Sequence, residues 1–139
     1  MEELTGITPE IITTLENNDV FVFGSNLAGR HGGGAAHTAL RWGAVMGQGT
    51  GLQGQTYAIP TMFASTGEIR PYVTEFIAFA KSHPEYRFLV TKIGCGIAGF
   101  TVTEMAELFK PVINGHIHNI YLPIEFVKAL VSGEINGKS

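Results

Sequence analysis

The chain has 139 residues, 45% of them hydrophobic and 15% charged, and carries a formal net charge of −3. That length fits one domain whose core needs no disulfide or metal, and so much apolar surface excludes a disordered chain. With no run of Lys or Arg the chain is not built to neutralise many nucleic-acid phosphates, so nucleic acid is not an expected partner.

A single cysteine, Cys95, rules out an intramolecular disulfide framework and suits a reducing compartment. The opening MEELTGITPE has no basic segment leading into an apolar core, so no signal peptide is expected. No stretch approaches the roughly 18 apolar residues of a membrane span. A cytoplasmic protein follows, one domain over 1–139 with its core at about 8–131 and a frayed polar tail over 132–139.

Thr8-Pro9 reads as a helix cap followed by proline, with Ile11, Ile12 and Leu15 as an apolar stripe ending at Asn17-Asn18-Asp19. Val20 to Phe23 is a compact apolar strand. A helix is predicted from Gly34 to about Met46, closed by Gly47, and the following GQGTGLQGQ is read as loop. Thr56 to Pro60 is a second strand. The spacing of Val73, Phe76, Ile77 and Ala80 predicts a helix from about Arg70 to Ser82. Phe88 to Ile93 is a third strand, and Thr101 with Glu104 forms a capping box for a helix to about Phe109. Ile117 to Leu122 is a fourth strand, and Ile124 to Val131 a last helix. Trp42, Phe76 and Phe79 are read together as core.

Strands alternating with helices predict an α/β protein with a mostly parallel central sheet covered on both faces. Ligands of such sheets bind outside the carboxyl ends of the strands, here the loops after Phe23, Pro60 and Ile93. Two of those loops are glycine-rich. The first, GSNLAGRHGGG, leads into a helix at Gly34. Its glycines serve either a tight turn or a bare cradle where backbone amides approach an anion. Arg30 can reinforce an anion contact and Asn26 can bond a sugar hydroxyl. The second loop, GCGIAGF, repeats the arrangement of strand, glycine turn and helix start, and the pair favours a phosphate cradle. GTGLQG, Gly49 to Gly54, fits the dinucleotide spacing but follows a helix and opens a strand, so it is set aside.

The candidates for chemistry are Asn26, His31 and Lys92. His31 and His37 flank the first loop and can act as bases near neutral pH. Cys95 precedes a helix start, which can activate a thiol, although small loop cysteines usually pack. Lys92 is either a nucleophile or a countercharge to an anion. His116 and His118 share a strand face but lack a third ligand, so no metal is expected; no cofactor is expected either.

Ser25-Asn26 ending the first strand, Gly32-Gly33-Gly34-Ala35-Ala36 entering a helix, QTYAIPT (55–61) and Gly94-Cys95-Gly96-Ile97-Ala98-Gly99-Phe100 together resemble macro domains, nearest to the compact bacterial and phage type. The resemblance spans about residues 20 to 113. It implies a three-layer α/β/α sandwich with a mostly parallel, mixed sheet that binds ADP-ribose or a related nucleotide. By resemblance Asn26 and Phe100 lie at the distal ribose, the amides of Gly32 to Ala35 hold one part of the ligand, and Gly96 to Phe100 hold the diphosphate. The chain departs from the family at Thr5-Gly6-Ile7, which lacks the acid that reads adenine, and at the basic pair Arg30-His31. Three functions stand beside one another: a nucleotide binder, a hydrolase of ADP-ribosyl conjugates, and a structural protein whose glycines only close turns.

Overall fold

The computed structural model describes residues 6 to 136, with side chains to residue 132. Its strands are β1 (Gly6–Ile7), β2 (Asp19–Ser25), β3 (Gly51–Gln53), β4 (Thr56–Pro60), β5 (Arg87–Val90) and β6 (Ile120–Leu122). Helices α1 (Gly34–Ala39), α2 (Thr66–Lys81), α3 (Val102–Leu108), α4 (Lys110–Asn114) and α5 (Ile124–Asn136) connect and cover them. The strands make one mixed sheet in the order β1-β6-β5-β2-β4-β3, parallel throughout except for the β3–β4 pair.

β2 is central because its sequence, DVFVFGS, supplies apolar side chains to both faces. Val20 and Val22 enter the larger core with Phe76, Phe88, Met105 and Phe126. Phe21 and Phe23 point the other way, into a smaller core with Ala36, Ala39 and Ala58. Trp42 belongs to this smaller core, its ring 5.0 Å from Phe21, and so lies across the sheet from Phe76 and Phe79. Burying Phe76 completely is worth about 2–3 kcal/mol.

Several elements differ from the sequence reading. Residues 8 to 16 are not helical. Thr8 N–H instead donates to Leu122 O at 2.8 Å, prolonging the pairing of β1 with β6, while Ile12 and Leu15 pack on the smaller core. The helix from Gly34 ends early: a 3-10 turn over Leu40–Trp42 follows α1, and Gly43, at φ 109°, stops it before Gly47. The segment read as loop contains β3. α2 starts earlier, at Thr66, where Glu68 Oε1 accepts the Ser65 N–H at 3.2 Å, so Pro71 lies inside the helix.

β5 stops at Val90, and Ile93 N–H turns back onto Thr91 O at 2.7 Å. α4 was not foreseen. The last strand covers only Ile120–Leu122. His116, at φ 51°, and His118 precede it in a turn and share no strand face. α5 runs to Asn136, so residues 132 to 136 of the expected frayed tail are helical. Positions 137 to 139, and 1 to 5 with Thr5, lie outside the described residues. Among the described residues no helix is long and apolar enough to cross a membrane.

Candidate functional site

Parallel pairing brings the carboxyl ends of three strands to one edge of the sheet. Ser25 is in register with Pro60, and Val22 with Val90. The chain leaving each strand there must turn, and two of the turns are the glycine loops.

The first loop is held from behind by the segment just before β3. Ser25 Oγ donates to Gly49 O at 2.5 Å, and Gly47 N–H donates to Gly29 O at 2.9 Å. His31 Nε2 lies 3.1 Å from Gln48 O; a carbonyl only accepts, so this nitrogen carries the hydrogen. Gly49 is tight because an added Cβ would overlap the Asn26 carbonyl oxygen. Asn26 closes the loop on itself: Oδ1 accepts the Arg30 N–H at 2.9 Å and Nδ2 donates to Arg30 O at 3.1 Å. One amide hydrogen and one carbonyl lone pair of Asn26 are left for a ligand.

The second loop closes through Phe100 N–H to Gly94 O, 2.9 Å, and Gly99 N–H to Gly96 O, 3.0 Å. It ends at the capping box: Glu104 N–H donates to Thr101 Oγ1 at 3.1 Å, and Thr101 N–H to Glu104 Oε1 at 2.9 Å. Gly94 has φ 78°, and a Cβ there would strike the Met105 sulfur.

Between the loops lies a cavity of about 450 Å³. Ser25, Asn26, Arg30, Gly33, Gly34 and Ala35 line it from the first loop. Gly94, Gly96, Ile97 and Ala98 line it from the second, with Lys92 beside them. At Gly33 and Gly96 an added Cβ would meet no atom of the described residues within 4 Å beyond the glycine's own chain neighbours. Gly33 has φ −157°, extended backbone open to any residue, so it has no need of glycine for its conformation. The turn explanation therefore fails at Gly33, and protein packing fails to explain either glycine. Both bare backbones face open space at the wall of the cavity.

The remaining sequence candidates stand elsewhere. His31 is 1% exposed, its ring edge-on to Phe23 at 5.1 Å, and it does not line the cavity. Its Nδ1 is buried without a partner among the described residues. Cys95 and Phe100 are half-buried against the larger core, and neither they nor Gly32 and Gly99 line the cavity. Burial pushes the Cys95 thiol above its usual range; the nearby Lys92 lowers it and Glu125 raises it. That is the reverse of an activated nucleophile. His37 is exposed on α1.

Sequence reasoning did not name Thr61, Met62 and Thr91, which also line the cavity. Thr61 and Met62 lie in the loop after Pro60, and that position was the available signal; Thr91 follows β5 only because the strand ends at Val90, short of the predicted Ile93. Thr61 is buried with its N–H on Ser25 O at 2.9 Å, and Thr91 Oγ1 donates to Val22 O at 2.9 Å.

A second cavity of about 520 Å³ adjoins the first, sharing Ala35, Thr91 and Lys92. Ile7, Ile12, Phe21, Pro123 and Ile124 give it apolar walls, and Glu10 and Glu125 add carboxylates. Lys92 Nζ stands 3.7 Å from Glu125 Oε2 at the seam. Among the described residues no group of three or more His, Cys, Asp or Glu is arranged to hold a metal ion.

Fold and site together define an α/β protein with a two-part cleft at the carboxyl edge of its sheet. Comparison of the chain with protein-family models, with curated proteins and with solved structures gave no match.

Proposed function

We propose that this protein binds ADP-ribose or a related NAD-derived nucleotide in the two-part cleft, on a macro domain-like α/β/α scaffold. The observation that carries the reading is the open space over Gly33 and Gly96. Two loops distant in sequence present side-chain-free backbone to one cavity, and neither packing nor, at Gly33, conformation demands the glycine. Backbone amides left bare in this way suit phosphate oxygens.

The rest of the cleft agrees in size and character. Each compartment falls within the range of small-molecule sites, roughly 300–1,000 Å³. The first, with Asn26, Arg30 and Lys92, suits a diphosphate and a sugar. The second, with apolar walls, suits a flat ring. The resemblance of residues 20 to 113 to macro domains points to the same ligand class.

Asn26, Arg30 and Lys92 are groups that orient and neutralise an anion, so binding is the activity assigned. Titration calorimetry with ADP-ribose, NAD and inorganic diphosphate tests it. Saturable heat with ADP-ribose is expected; no heat from any of the three at millimolar concentration overturns the reading. Incubation with mono-ADP-ribosylated protein and O-acetyl-ADP-ribose separates a binder, which leaves both intact, from a hydrolase.

A further inference from the structure

We infer that Lys92 and Glu125 form an exchangeable ion pair that selects for a ligand with an anionic group in the first compartment and a hydrogen-bond donor in the second. The inference rests on the nucleotide-binding reading above and deepens it.

Lys92 lines both compartments, whereas Glu125 lines only the second. Their charged atoms are 3.7 Å apart, too far for a tight hydrogen bond, and both side chains are about half exposed. A pair of this kind contributes little and is easily given up. A phosphate entering the first compartment therefore competes for Lys92 at small cost. Glu125 loses little when Lys92 leaves, because it sits in the first turn of the 13-residue α5, where the helix start supports a negative charge.

Once released, Glu125 is an acceptor at the wall of a largely apolar compartment. There it rewards a ligand that brings a donor, such as a ring amino group or a ribose hydroxyl, and disfavours one that brings only a second anion. Inorganic diphosphate on its own must detach Lys92 and leaves Glu125 with nothing in return. A nucleotide with a donor at its far end uses both members of the pair.

The test compares wild-type protein with Glu125→Gln, Lys92→Gln and the double variant by calorimetry at fixed ionic strength, using inorganic diphosphate and ADP-ribose as probes. Both positions are half exposed, so the variants should fold, and thermal melts check that they do. Glu125→Gln should bind diphosphate about two- to five-fold tighter, the size expected from removing a competing exposed partner. The gain for ADP-ribose should be smaller, so the preference for ADP-ribose over diphosphate falls. Lys92→Gln should weaken both probes by about three- to ten-fold, and in the double variant the diphosphate gain should vanish. Unchanged or weaker diphosphate binding by a folded Glu125→Gln protein overturns the inference alone. So does a gain that survives in the double variant. Wild-type protein that binds neither probe overturns this inference together with the reading beneath it.

Discussion

Gly33 and Gly96 line the same cavity from two different loops, and around neither does the protein fill the space a side chain would take. The neighbouring Gly94 is the contrasting case. Its left-handed backbone and the Met105 side chain both exclude a Cβ. Two glycines in one short loop thus do different work, Gly94 shaping the turn and Gly96 leaving the cleft open.

This separates binding from stability. Gly96→Val should melt close to wild type and lose affinity for ADP-ribose by at least about ten-fold, because the branched side chain occupies the approach. Gly94→Ala should instead lose about 1–3 kcal/mol of stability through strain and overpacking. Calorimetry paired with urea denaturation reads both. A Gly96→Val protein that folds and binds normally would show that the ligand does not lie over Gly96.

How far the sequence reveals this site depends on the kind of feature. β2 and β4 are legible because continuous apolar runs suit strands buried on both faces, and the α3 capping box is a local signal. β3 is not, because it is three residues long, begins at a glycine, and exists only by pairing with β4. The helix predicted after Thr8 loses to tertiary pairing with β6. Loop positions next to the cleft were legible, but not side-chain directions. The His31 ring turns edge-on to Phe23 of the small core and Phe100 packs against the large one, partners no local pattern announces.

Asn26 builds the first loop before it can touch a ligand, since both of its amide groups already engage Arg30. Asn26→Asp keeps the acceptor for the Arg30 N–H and loses the donor, so stability should fall by only about 1 kcal/mol. The same change places a carboxylate in a cavity suited to anions, where like-charge repulsion opposes the ligand. Affinity for ADP-ribose should therefore drop more than stability does, and high salt should narrow the gap. Equal affinities for the two proteins at low salt would contradict an anionic occupant.

The Cys95 thiol is held above its usual range by burial, lowered in part by Lys92 and raised by Glu125. Alkylation by iodoacetamide at pH 8 should accordingly be slower than for free cysteine. Lys92→Gln should slow it further and Glu125→Gln should speed it, in each case through the fraction of thiolate. Rates followed by mass spectrometry across pH give the ordering. An alkylation midpoint below that of free cysteine would mean the loop activates the thiol.

Tyr57 packs in the larger core against Phe76 and Phe79, with ring centroids 5.0 and 5.3 Å away, and burial followed by the charge of Glu75 pushes its hydroxyl up to about 12. The folded protein thus keeps a proton that the unfolded chain releases near pH 10. Its contribution to stability is complete below pH 10 and is lost as pH rises from 10 towards 12. Urea midpoints measured from pH 9 to 11.5 should fall across that window, and the fall should be shallower in Tyr57→Phe. Absorbance at the tyrosinate band should show a late-titrating step in wild type that is absent from the variant. Identical slopes in the two proteins would show that the alkaline loss arises from other groups.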